Sequence, residues 1–306
     1  LQQKIIDLKA NNYFSILNKS LTHGTRQHRY VTIMINKEEI KKALYRSGYL
    51  LESRVSSWFF ENAFFVEPNF TFYDSLTQKS REIDLFVENT RSCVDGDKKI
   101  TCNTYFIIET INNDRPIVFF SNRKYIDEDN VFSQINYLSQ YPGSEDDFMF
   151  LIDYRKLHYF NNIIATQYCS FQEKKKSKHQ DEIEWMAYHP EDLYDNFRKL
   201  LFCSKTILDN CLNILDDKTW HRLFRYQPVL VINNSLLEAE VLEKDINLIE
   251  KKMISFSFNH TLENEHYSMI IDVITEDYLS TYIDNVIKED EIIFDGMLKI
   301  YDKRKM

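Results

Sequence analysis

The chain has 306 residues, 43% hydrophobic and 14% aromatic, which is enough for a sizeable core and excludes a disordered protein. A net charge of −9 excludes non-specific coating of nucleic acid, though not an enzyme that grips DNA in one local groove. No apolar run reaches the ~18–20 residues that span a bilayer, so no membrane partner is expected.

Residues 1–12 alternate charged and apolar side chains instead of forming a secretory leader. Five cysteines, an odd number, suit a reducing compartment better than a disulfide framework, and the expectation is a cytoplasmic protein. Within residues 1–30, Lys4, Lys9, Lys19, Arg26 and Arg29 face the single acid Asp7. Residues 1–35 are therefore set apart as a basic arm, either a solvated leader or a contact for phosphate backbone.

From Asn36, a candidate N-cap followed by Glu38 and Glu39, the pattern predicts a helix with Ile40, Ala43 and Leu44 on its apolar face. A second helix is predicted over 50–62, with Leu51, Val55, Trp58 and Phe59 as its buried stripe. The next block reads as strands: FFVEP, FTFYD, REIDLFVE, TYFIIET and, after Pro116, IVFFS. Residues 89–103 between two of them read as a long exposed loop, with Cys93 and Cys102 incidental at its borders.

Beyond this block the pattern predicts a helix over 129–140 and strands at 148–153 and 163–171. The lysine-rich run 173–180 reads as a loop, and 190–224 as one or two helices on a spine of Leu193, Phe197, Leu200, Leu201 and Leu208. PVLVINN and LLEAEVL read as a hairpin about Asn233–Asn234. MISFSFN and SMIIDVIT add strands, and residues 277–288 a closing helix.

The fold class expected is α/β: a mixed central sheet flanked by helices, with a C-terminal sheet-and-helix extension. Residues 36–172 form the α/β core and 173–306 the C-terminal region, which either continues the core sheet or packs as a subdomain.

The period-2 pattern of REIDLFVE puts Glu82, Asp84 and Phe86 on one strand face, and that of TYFIIETI groups Ile107, Glu109 and Ile111. If the two strands are neighbours, Asp84 and Glu109 face one pocket. GYLLESRV (48–55), REID (81–84) and IETINNDRPIVFF (108–120), in that order, resemble the PD-(D/E)XK superfamily of restriction-endonuclease-like nucleases, in its uncharacterised bacterial branches.

The resemblance implies a divalent-metal-dependent deoxyribonuclease of bacterial DNA metabolism or defence. Asp84, Glu109 and the carbonyl of Thr110 would hold Mg²⁺ or Mn²⁺, and the catalytic Glu52 would ligate a second ion or orient a metal-bound water. The family places a lysine where this chain has Ile111. Three readings follow. A cation from elsewhere, such as Lys79, Arg81 or Lys124, replaces it; or the protein is an inactive nuclease fold that binds nucleic acid or a protein partner; or the match is accidental.

Other chemistries lack a motif. His260 and His266 are spaced wrongly for a helical metal pair, no Cys-x-x-Cys occurs, and no glycine-rich phosphate loop is present. Among the aromatics, Tyr125, Tyr137 and Tyr141 are the candidates for base stacking.

Overall fold

The computed structural model describes residues 36–74, 77–122, 135–138, 157–158, 163–177, 180–213, 220–262 and 265–305. The chain divides into two compact units, 1–42 and 43–306. In the first, the Asn36 side chain caps a helix, accepting the Glu38 amide at 3.1 Å. That helix, α1 (Lys37–Arg46), buries none of its residues, and its expected apolar face is open: Ile40 is 46% exposed and Leu44 39%.

The second unit is organised on one large mixed sheet. Its strands are β1 (Phe65–Asp74), β2 (Lys79–Asp95), β3 (Lys98–Ile111), β4 (Ile117–Asn122), β5 (Ile135–Leu138), β6 (Ile164–Ser177) and β7 (Gln180–Tyr188). They continue with β8 (His221–Ile232), β9 (Leu236–Val241), β10 (Ile246–Lys251), β11 (Met253–Leu262) and β12 (Glu265–Thr275). The order is β1-β2-β3-β8-β12-β11-β6-β4-β9-β10, with β5 paired to β8 and β7 to β6. β3 runs parallel to β8 from Ile100↔His221 to Ile111↔Ile232, so strands from before and after residue 172 alternate in the same sheet.

Helices α2 (Tyr49–Glu61), α3 (Glu191–Asn213) and α4 (Leu279–Lys305) flank the sheet. One core joins Phe197, Leu200 and Leu201 of α3 to Ile83, Ile107, Leu230 and Ile232. A second joins Leu51, Val55 and Phe59 of α2 and Tyr282 and Val286 of α4 to Leu85, Val87, Phe106, Ile108 and Val231. Both faces are thus covered, and the central strands carry near-continuous apolar runs for that reason. Among the described residues no helix is long and apolar enough to cross a membrane.

Several local expectations are corrected. Residues 89–103 are not a loop: β2 and β3 continue as a hairpin from Asn89↔Thr104 to Asp95↔Lys98, and Gly96 at φ +57° closes it. A glycine takes that left-handed conformation without a Cβ clash. Cys102, on this arm, is buried. FFVEP and FTFYD are one strand, β1, running through Pro68.

Of the expected helix over 129–140, residues 135–138 are strand β5, antiparallel to β8. The lysine run is strand as far as Ser177, because β6 continues there and pairs with β7, and residues 178–179 lie outside the described residues. There the cross-strand ladder overrides a polar composition that reads as turn. The helix after Pro190 ends at Asn213, and residues 221–224 open β8. β8 and β9 are not a hairpin: β8 lies between β3 and β12, whereas β9 pairs with β4 and β10. Residues 148–153, Lys124, Tyr125, Tyr141 and the basic arm lie outside the described residues.

On the α4 side of the sheet a polar cluster is fully enclosed. Arg225 of β8 donates to Asp290 (2.9 Å) and to Glu289, both on α4. His158 donates its amide to Glu289 (2.6 Å), and its Nε2 stands 2.9 Å from Asp272 of β12. Gln227, Ser255 and Tyr282 also donate to Asp272. Burial pulls the His158 pKa down, but Asp272 and Glu289 outweigh it and carry it to about 9. Buried charges are tolerable only with such complete pairing.

Arg225→Met leaves buried Asp290 without its cation and Glu289 with His158 alone, and should lower stability by about 3–5 kcal/mol in chemical denaturation. The charged His158 contributes stability that is fully present below its ordinary 6.5 and lost as pH rises through about 9. A His158→Gln variant should lose less stability than the parent between those values.

Candidate active site

The site lies where β2 and β3 part. Their antiparallel ladder runs down to Leu85↔Ile108 and stops; in the same register the next pair would be Asp84 and Glu109. On the other side of β2, pairing with β1 passes from Pro68↔Leu85 to Phe70↔Ile83, skipping Asn69 and Asp84, with Asn69 at φ +53°. Asp84 is therefore outside both ladders, while β3 stays paired with β8 to Ile111. The alternation of β2 also slips here: Leu85 and Val87 face α2, yet Ile83 joins Phe86 in the core under α3.

The main-chain donor left by the parting strands is satisfied by a side chain. Thr110 donates its amide to Asp84 Oδ2 at 2.7 Å and its hydroxyl to the same oxygen at 2.8 Å. This fixes the Asp84 carboxylate against β3, as a carboxylate accepting a main-chain N–H is a strong, charge-assisted contact. Glu109, one residue earlier, is only 2% exposed.

Glu109 is paired with a cation that the sequence pattern did not single out. Lys199 of α3 donates to Glu109 Oε2 at 2.5 Å. The apolar residues Leu193, Phe197, Leu200 and Leu201 dock α3 on the sheet, and Lys199 rides at the border of that stripe with its side chain 25% exposed. Cys203, one helical turn on, lies close enough for Glu109 to raise its thiol pKa, in addition to the larger effect of burial. The i, i+4 spacing of Lys199 and Cys203 puts both on the helix face towards the site.

Two of the cations considered as substitutes for a lysine at 111 are placed by the structure. Arg81 is engaged elsewhere: its Nε donates to the buried Asp74 at 2.9 Å, alongside the Thr77 hydroxyl at 2.6 Å. Lys79 stands opposite Asp74 at the far end of the β1–β2 ladder. Ile111 packs, half-buried, against the core beneath α3. An apolar side chain satisfies that environment, whereas a lysine there would have to reach back to the acids.

Burial raises the Glu109 pKa to about 8, Asp84 adds to the rise, and Lys199 opposes it. Burial also raises that of Glu52 on α2, with Asp84 and then Glu82 contributing. Asp84 thus stands within electrostatic reach of both. Glu109 Oε1 is buried and has no hydrogen-bond partner among the described residues. Oxygen-only donors with one unsatisfied carboxylate oxygen suit a hard divalent cation. Among the described residues, however, no three acids, histidines or cysteines stand close enough to share one ion, so Glu52 is near the pair without completing a three-carboxylate set.

Beyond the site, Asn112 and Asn113 are tied to the end of β8. Asn233 accepts the Asn113 amide at 3.0 Å and donates to Asn112, and Asn234 donates to the Asn113 carbonyl at 3.1 Å. Asn112 also donates to the carbonyl of Ser47 at 3.0 Å, just before α2 begins. The strand bearing Glu109 and the helix bearing Glu52 are joined through that residue.

An acid whose pKa is raised on folding contributes stability that is full below its ordinary 4.5 and is lost as pH rises through about 8. Urea denaturation of Glu109→Gln across that window should therefore show a flatter pH dependence than the parent, by one proton's worth of slope. Lys199→Met should extend the loss to higher pH at the same slope, because Glu109 without its cation holds its proton longer. Comparison of the chain with protein-family models, with curated proteins and with solved structures returns no match.

Proposed function

We propose that this protein is a divalent-metal-dependent nuclease acting on DNA, with Lys199 on α3 in the role that the resembled family gives to a lysine at position 111. The reading is supported above all by one juxtaposition: Asp84 and Glu109 in register at the parting of two strands, with an ammonium group on Glu109. Asp84 and Glu109, with the Thr110 carbonyl, would hold Mg²⁺ or Mn²⁺. Such an ion polarises the phosphoryl oxygen, lowers the pKa of a bound water and stabilises the leaving alkoxide.

The protein's own groups have distinct tasks. Asp84 is held in position by the Thr110 amide and hydroxyl. Glu109 must release its proton to act as a ligand, so cation affinity should climb with pH towards about 8. Lys199, partly exposed, orients the attacking water and offsets the charge that develops on the phosphate. Glu52, its pKa raised by burial and then by Asp84, is placed to accept a hydrogen bond from water on the open side.

One observation favours a second reading, a nuclease-fold scaffold that binds nucleic acid or a protein without cutting. The Lys199 ammonium already occupies Glu109 Oε2, and no third acid completes the set among the described residues.

Plasmid and linear DNA incubated with the protein in Mg²⁺ or Mn²⁺ separate the two. The nuclease reading expects cutting that Asp84→Ala and Glu109→Ala each abolish. Lys199→Met should reduce it by about 10²–10⁴-fold, and Ile111→Lys in the Lys199→Met background should restore part of that loss. DNA binding without cutting, unchanged by Lys199→Met, would instead establish the scaffold.

A further inference from the structure

The two edges of the sheet are built differently. At one edge β1 carries Pro68, Glu67 and the left-handed Asn69, features that hinder another strand from pairing. At the other edge β10, INLIEK, has no proline and no residue of positive φ, and among the described residues it pairs only with β9. Its apolar side chains are open: Ile246 is 53% exposed and Leu248 55%, beside Val241 of β9 at 65%.

The register of the β9–β10 hairpin fixes which main-chain groups of β10 point away from β9. The Leu242 amide donates to the Asp245 carbonyl at 2.9 Å, so that pair is hydrogen-bonded. Hydrogen-bonded and non-hydrogen-bonded pairs alternate along an antiparallel ladder. Hence Asn247↔Glu240 and Ile249↔Glu238 exchange bonds within the hairpin, whereas Ile246, Leu248 and Glu250 direct their N–H and C=O groups away from β9. A strand with free donors and acceptors at alternate residues and exposed apolar side chains is a template for another strand.

We propose that the occupant of this edge is a second copy of the same chain, joined by antiparallel β10–β10 pairing about a two-fold axis at Leu248. The sequence of β10 is complementary to itself in this register. Leu248 faces Leu248, and Ile246 faces Glu250, all through residues whose main-chain groups point away from β9. The Ile246 amide, which donates to its neighbour Asp245 at 2.8 Å, would exchange that contact for the partner strand. On the opposite face Asp245 of each copy meets Lys251 of the other, and Ile249 meets Asn247. Lys251, 2.9 Å from Glu238 and with its side chain 39% exposed, has room for a second carboxylate. The even-numbered face brings Val241, Ile246 and Leu248 of both copies into one apolar patch. A two-fold contact uses the same surface twice, so one self-complementary strand suffices.

Sedimentation velocity of the whole chain, up to about 100 μM, tests this together with two variants. The parent should sediment as a dimer, and Leu248→Lys, which sets two ammonium groups face to face on the axis, as a monomer. Because Leu248 is exposed, that variant should keep the parent's circular dichroism and thermal midpoint. In the proposed pairing the two 248 Cα atoms stand ~5.5 Å apart, within the reach of a disulfide. Leu248→Cys should therefore form a covalent dimer under mild oxidation, where the parent and Asn247→Cys do not. A monomeric parent over the whole concentration range overturns the proposal. So does a dimer that persists in Leu248→Lys, or one that Leu248→Cys fails to cross-link.

Discussion

Everything at the site depends on how a carboxylate is kept inside an apolar layer. Glu109 belongs to the strand face that α3 covers, among leucine, isoleucine and phenylalanine side chains. An ionised acid there, unpaired, would cost several kcal/mol. The cost is met by a contact across 90 residues of sequence, the ammonium of Lys199, and by a pKa high enough for Glu109 to hold its proton near neutrality. The helix is held by its apolar stripe and the acid by its strand, so the pair forms only when both are docked. The parting of β2 from β3 supplies the remaining geometry, since an unbroken ladder would have claimed the Thr110 amide for a carbonyl and left Asp84 only the Thr110 hydroxyl.

How far this could be read from the sequence follows from the range of each interaction. Period-2 alternation groups Asp84 with Phe86 on one face of β2, whereas in the structure Ile83 joins Phe86 and Asp84 lies outside both ladders. A helical stripe marks α2, which carries Glu52. Lys199 was missed because nothing within a local window distinguishes it from the other charged residues of α3. Its role depends on where Phe197 and Leu200 seat the helix. The faint local signal was a lysine flanking the apolar stripe, with Cys203 four residues further on.

The misread segments share a cause. Residues 89–103 and 173–180 are polar, and polarity was taken for loop. Residues 89–95, 98–103 and 173–177 are hairpin arms paired with a neighbouring strand, so a polar composition is tolerated there. Asp95-Gly96 was the available sign of a tight turn. The supposed hairpin at Asn233–Asn234 failed for the opposite reason: two apolar runs close in sequence were assumed to pair, yet each had a partner elsewhere in the sheet. The enclosed cluster around Arg225 was likewise invisible, because its members come from β8, β12, α4 and His158.

The residues of the candidate site are spread from Glu52 to Lys199, and that spread constrains when the proposed activity could arise. A chain leaving the ribosome exposes its acids well before the helix that bears the ammonium has been synthesised. Until α3 emerges and docks, the nascent polypeptide lacks the cation that the proposed chemistry needs. On the proposed reading, cleavage competence would arrive late, with the closing of the fold, and the growing chain would pose little hazard to nearby nucleic acid.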